Sequence, residues 1–379
     1  MKRSSLLQMT LLLFLAACQV QEENQDLLAL ALASEDPAIR AVMDDPGPYE
    51  VQIRYTRIDR RNDSIIFTDH DFQVNDQQYF YPASTVKFPI AVLALERLHQ
   101  TDTLNHNTRY YVEGDTLEST VAKDVLEIFA VSDNLANNRL VELLGQDAIN
   151  QGLANKGVGP VRISHRLGQH SDDLRTKPWI VYLNDSTTSP TQPTVNTAPK
   201  PLEMEGVLKG RGYMEDDGLQ EGAFNFSLKN HYPIATQHEV LKRVIFPEQF
   251  PQEQRFQLSE AQRKLLLDAM RILPRNAGYD ANTYYDAYCK FFMFGDSKAP
   301  MPEQVEIYNK VGFAYGTLTD CAYIKDKENK VDFLLTATIL VNANGIFNDN
   351  QYEYDTVGIP FLAALGREIH ALEVARAKS

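Results

Sequence analysis

Tyr81-Pro82-Ala83-Ser84-Thr85-Val86-Lys87-Phe88-Pro89 reads as the start of a buried helix. Beyond Lys87 the run Phe88, Ile90, Ala91, Val92, Leu93, Ala94 and Leu95 is apolar on nearly every face, and such a helix belongs in a core. Ser84 and Lys87 stand at a spacing that puts them on one helical face, within reach of each other. A lysine desolvated at the mouth of such a helix loses basicity, and its neutral amine can take a serine proton. The helix N-terminus adds positive potential where negative charge would develop. The same residues also describe a capping serine beside a solvated lysine. Alone, S-x-x-K is a weak signal that a chain this long shows by chance about once or twice. The rest of the chain decides between the two.

Upstream, residues 51–58 and 65–74 alternate apolar and polar, with the polar turn 59–63 between them, as a β-hairpin does. Downstream, helical spacing runs over 121–131 and again over 135–144, interrupted by Ser132-Asp133-Asn134. That triplet suits a cap between two helices, since all three side chains can bond exposed backbone N–H groups. Residues 157–184 look irregular. His165, His170, Asp172 and Asp173 lie there, but their spacing fits no standard metal-ligand pattern, so no metal and no cofactor is expected. Residues 185–221 are rich in Ser, Thr, Pro, Gly and acidic residues and read as an inserted mobile loop outside both core and chemistry. Helices resume over 236–244 and 260–273. Strands follow over 303–310, 322–324 and 331–341, and an amphipathic helix over 360–377 closes the chain.

Strands at both ends with helices between predict an α/β (α+β) chain. One antiparallel sheet is built from 51–84 and 300–379, flanked by helices, with a helical domain over 85–299 carrying the 185–221 insertion. The first 17 residues look like an export signal. Lys2 and Arg3 precede the short apolar run 6–15, too short to span a membrane. The signal ends Leu15-Ala16-Ala17-Cys18, small residues before a cysteine, and 18–48 then reads as a tether with a first helix. The 379 residues carry a formal net charge of −14. With no basic surplus to release counterions, nucleic-acid binding is excluded. Besides Cys18 only Cys289 and Cys321 are present, and sequence leaves their pairing open.

Between the late strands stands Lys310-Val311-Gly312-Phe313-Ala314-Tyr315-Gly316-Thr317-Leu318-Thr319-Asp320-Cys321-Ala322-Tyr323-Ile324. S-x-x-K, S-D-N and K-x-G therefore occur in order, and this set resembles the class A β-lactamases and penicillin-binding proteins. The flanks match too, in Ser-Asp-Asn-Leu-Ala-Asn-Asn and Tyr-Gly-Thr-x-x-Asp-x-Ala-x-Ile. The resemblance covers about residues 51–377, apart from 185–221. It implies the β-lactamase/transpeptidase-like fold, with Ser84 as acylated nucleophile, Lys87 as its activating partner and Ser132 as proton relay to the leaving nitrogen. Lys310 would supply positive charge, Asn134 would hold substrate and Lys87, and the backbone N–H groups of Ser84 and Phe313 would form the oxyanion hole. Leu15 to Cys18 likewise resembles the lipobox of bacterial lipoproteins. This implies lipid on Cys18, with Gln19 favouring an outer membrane facing the periplasm of a Gram-negative-type cell.

Two departures stand out. Val311 stands where the family's K-T-G or K-S-G has a hydroxyl that helps bind the substrate carboxylate, and the resemblance makes Val311, Gly312 and Phe313 expected substrate contacts. Losing one hydrogen bond to a charged group costs roughly 1.5–3 kcal/mol. The class A glutamate that activates the deacylating water is missing from 161–173, and Leu167 stands in its place, with His170, Asp172 and Asp173 as poor substitutes. The leading expectation is therefore a monomeric serine hydrolase of β-lactamase type acting on a β-lactam or a peptidoglycan-like peptide. The alternatives are a penicillin-binding D,D-peptidase or esterase-like relative, and a non-catalytic envelope lipoprotein.

Overall fold

The computed structural model describes residues 26–62, 64–101, 104–168 and 172–378. The export signal, Cys18, Gln169, His170 and Ser171 lie outside the described residues. Among the described residues no helix is long and apolar enough to cross a membrane.

A five-stranded antiparallel sheet forms the frame. Its order is Val305–Ala314, Thr317–Asp326, Val331–Leu340, Gln52–Arg61, Ser64–Phe72. The chain ends meet in the middle of it, Gln52 opposite Thr338 and Arg57 opposite Phe333. The strand Thr317–Asp326 is buried on both faces. Val311, Ala322, Ile324 and Leu335 join the core under the helix Ile359–Lys378 and the N-terminal helices Leu27–Leu32 and Pro37–Met43, whereas Cys321, Tyr323 and Leu334 face the helical domain. A strand buried on both faces shows no alternation of polarity, so only its middle, 322–324, is legible in sequence. Cys289 and Cys321 are free and buried, in different cores.

The helical domain is built on Lys87–His99, with Val121–Ala130, Asn134–Leu144, Gln146–Asn155, Ile234–Ile245 and Glu260–Arg271 around it. Local signals set the ends. Thr120 Oγ1 accepts from Lys123 N at 3.1 Å, and Ser259 and Gln262 exchange the two bonds of a capping box.

Two expectations are corrected. The stretch 85–299 is not helical throughout, since Tyr110–Val112, Trp179–Asn184 and Thr187–Pro190 make a three-stranded sheet. Tyr110 stacks on Trp179 there at 3.5 Å between ring centres, and Trp179 Nε1 donates to Arg139 O at 2.8 Å. Nor is 185–221 an unstructured loop. Gly212–Glu215 pairs with Gly218–Glu221 and, in parallel, with Ile346–Phe347. Met204, Val207, Tyr213 and Phe224 pack on a buried cluster with Tyr79, Tyr81 and Phe347. These strands are short, and the partner that docks the hairpin, Ile346–Phe347, is distant in sequence, so composition alone reads as loop. Gly210, at φ +78°, lets the chain pass, because a Cβ there would meet Gly345 O at 2.5 Å.

Candidate active site

Ser84 sits in a 3₁₀ turn, Ala83–Val86, that runs straight into the helix beginning at Lys87. Ala83 is left-handed at φ 47°, at a cost of about 1–2 kcal/mol for an L-residue. Thr85 Oγ1 ties the turn to Pro82 O at 2.7 Å. Against it runs Val305–Ala314. A Cβ at Gly312 would lie 2.8 Å from Pro82 O and Ser84 N and 2.9 Å from Thr85 N. Glycine is therefore what lets the strand approach the Ser84 turn. Gly312 acts by having no side chain, and Phe313, next along the strand, lines the cleft.

Ser132, Asp133 and Asn134 divide their labour. Only Asp133 caps, with Oδ1 accepting from Ala136 N at 2.7 Å. Ser132 is left-handed at φ 59°, a second strained residue within the site. Its hydroxyl accepts from Lys310 Nζ at 2.8 Å and from Lys87 Nζ at 3.3 Å. Lys87 Nζ also donates to Ser132 O and to Asn134 Oδ1, the latter at 2.7 Å. Lys310 Nζ donates to Val311 O at 2.8 Å. Lys87 is fully buried. Burial, then the Lys310 charge, holds its amine well below the usual lysine range. Burial lowers Lys310 to about 8. The two lysines thus meet at one hydroxyl, that of Ser132, both with lowered basicity.

The cleft above Ser84 has a volume of about 460 Å³ and is lined by Asn134, Leu167, Phe313 and Tyr315 among others. Ser84, Lys87, Ser132, Asn134, Lys310, Gly312 and Phe313 thus converge. Val311 does not line the cleft. Strand alternation turns it away from Lys310 into the core that holds Cys289 and Phe291, 2% exposed. Its expected place as a substrate contact is corrected accordingly.

Leu167 lines the cleft wall, with no carboxylate among the other described lining residues. Its backbone is clamped by Asn138, with Leu167 N donating at 3.0 Å and Leu167 O accepting at 2.7 Å. His165 offers no substitute. It stacks on Tyr81, its Nδ1 lies 2.5 Å from Arg166 O and its Nε2 accepts from Asn230 N at 3.2 Å. Burial depresses its pKa to about 4. Asp172 and Asp173 are exposed, and Asp173 borders a different cleft with Arg139, Glu142 and Arg166.

Two groups escaped the sequence reading. Beneath Lys310, Lys290 Nζ donates to Asn309 Oδ1 at 2.6 Å, and Asn309 Nδ2 donates to Asp320 Oδ1 at 2.8 Å. Asp320 also accepts from the backbone N–H groups of Phe291 and Phe292, and burial raises its pKa to about 6. The other group is the rim of Tyr352, Tyr354, Asn348 and Asn350. Residues 344–350 are turn-rich and aperiodic, and it is the parallel pairing of Ile346–Phe347 that brings them to the cleft.

The profile of the Beta-lactamase enzyme family matches residues 37–194. None of the curated proteins compared matches the chain. Among solved structures, a β-lactamase from Xanthomonas campestris shares 15% identity, with 92% of this chain and 97% of that one covered at a TM-score of 0.51. One from Desulfarculus baarsii shares 16%, with 91% and 98% covered at 0.51. A class A β-lactamase from Mycobacterium abscessus shares 15%, with 89% and 98% covered at 0.50. At such identities the likeness concerns the fold. The profile match and these likenesses show that the chain has the fold of the class A β-lactamases, and the three ordered motifs converge on one cleft within it.

Proposed function

We propose that Ser84 is acylated by a β-lactam or a related amide or ester, and that release of the acyl group is slow. The observation that carries this reading is the chain Lys87–Ser132–Lys310 beside the Ser84 turn. A neutral amine there accepts the Ser84 proton as Oγ attacks the carbonyl. The Ser132 hydroxyl passes a proton to the leaving nitrogen, with the Lys310 ammonium stabilising it. The N–H groups of Ser84 and Phe313 stand as oxyanion donors, each worth about 3 kcal/mol in such sites.

Leu167 favours a penicillin-binding, slowly released acyl-enzyme over rapid β-lactam hydrolysis, since no carboxylate among the described cleft residues can activate water. The test is incubation with a fluorescent penicillin, followed by gel and mass over time beside Ser84→Ala. The label is expected to appear on the wild type, persist, and be absent from the folded variant. A label that survives Ser84→Ala removes Ser84 as the nucleophile, and one that vanishes quickly from the wild type restores turnover. The leader sequence also supports lipid anchoring at Cys18, checked by the mass of the N-terminal peptide from detergent-extracted protein.

A further inference from the structure

The described residues lining the cleft carry no ionised side chain. They are Ser84, the amides Asn134, Asn348 and Asn350, the apolar Ala83, Leu167, Gly168 and Ala314, and five aromatic rings. The two lysines beneath are already engaged within the protein. Lys87 is held by Ser132 and Asn134, and Lys310, 2% exposed, by Ser132 and the Val311 carbonyl. A carboxylate entering here would shed water and find no cation among the described wall residues in return.

The rings, in contrast, are held as a wall. Tyr352 OH accepts from Asn348 N at 2.7 Å and Tyr354 OH from Gly316 N at 2.8 Å, which fixes both rings. Phe313, 48% exposed, meets Tyr354 edge-on at 5.5 Å. Tyr315 is braced from behind by Phe224 at 5.4 Å and Phe226 at 5.5 Å. Phe224 follows directly on the inserted segment, so that segment buttresses the cleft. Rings fixed before binding lose little entropy when a second ring stacks on them.

Resting on acyl transfer at Ser84 as proposed above, we infer that the acyl donor is an uncharged, ring-bearing amide or ester, recognised by stacking on the Phe313–Tyr352–Tyr354 wall. In the reaction the Ser84 Oγ–carbonyl bond forms and the donor's C–N or C–O bond breaks. The serine proton leaves through Lys87 and Ser132 on the departing atom.

The test measures Ser84 acylation rates by mass with two matched pairs. One is benzylpenicillin and its methyl ester, and the other is a neutral p-nitrophenyl arylacetate and its ring-carboxylated analogue. In each pair that reacts, the neutral member should acylate at least as fast. Tyr352→Ala should slow the neutral member about fivefold, the worth of one ring contact, and Tyr352→Phe should retain most of the rate. A carboxylate-bearing member faster by about tenfold, the worth of one ionic hydrogen bond, overturns the proposal while leaving the β-lactam reading intact. So does a Tyr352→Ala rate equal to wild type. Neutral preference in the ester pair with silent penicillins supports the proposal and removes the β-lactam reading. Silence from all four probes removes both.

Discussion

Leu167→Glu should turn a stalled acyl-enzyme into one that turns over. The residue lines the cleft beside Ser84, and its backbone is held on both sides by Asn138, so a longer acidic side chain would start from a fixed point. A positioned general base contributes roughly 10²–10⁴-fold, which is about 2.7–5.5 kcal/mol of barrier. The lower end is the fair expectation, because nothing else in the wall has been shaped to orient a water, so label release should quicken about a hundredfold. The cost falls on stability. Leu167 is 8% exposed and packs with the main core, so about 1.5–3 kcal/mol of burial is lost. The assay is the lifetime of the fluorescent penicilloyl label after removal of free probe, beside Leu167→Gln, which has similar bulk and no basic oxygen. Equal lifetimes for the Glu and Gln variants, both folded and both acylated, would refute the reasoning that a missing carboxylate limits release.

Other outcomes follow from the same geometry. Val311→Thr places a hydroxyl in the apolar core rather than in the cleft, so thermal unfolding should show a loss of about 1–2 kcal/mol with the acylation rate unchanged. Faster acylation would return this side chain to the substrate. Lys310 is charged below its lowered pKa of about 8 and loses that charge as pH rises through it. Acylation by penicillin should therefore fall across the mildly alkaline range, and a rate that keeps climbing there contradicts the role given to the Lys310 ammonium. Cys289 and Cys321 should each react with a thiol reagent only after denaturation without reductant, and a missing thiol then would mean a bond between or onto them.

The three motifs were legible because each lies within a few residues of chain whose local structure is self-determined. One is a turn running into an apolar helix, one a break between two helices, and one an edge strand. Their order sufficed to read the fold, since the sheet is assembled from two ends that both show their strands. What hid the rest was distance in sequence. The hairpins within 85–299 and 185–221 are docked by partners far along the chain, Tyr110–Val112 for Trp179–Asn184 and Ile346–Phe347 for Gly212–Glu215, and strand propensity is weak without its partner. Val311 read as a substrate contact because spacing gives a residue's position, while its direction follows from strand alternation in a particular register.

The sequence by itself picked out Ser84, Lys87 and Ser132 as the candidate residues and the absence of a glutamate near Leu167, since these are matters of residue type at short spacing. Only the tertiary structure decided the electrostatics and the walls. Lys87 is fully buried and Lys310 2% exposed because a sheet and a helical domain close over them, and desolvation depends on everything packed around a group. The neutral aromatic rim exists because Gly212–Glu215 and Ile346–Phe347, more than a hundred residues apart in the chain, pair side by side. No local pattern records such a pairing, which forms only when the whole chain has folded.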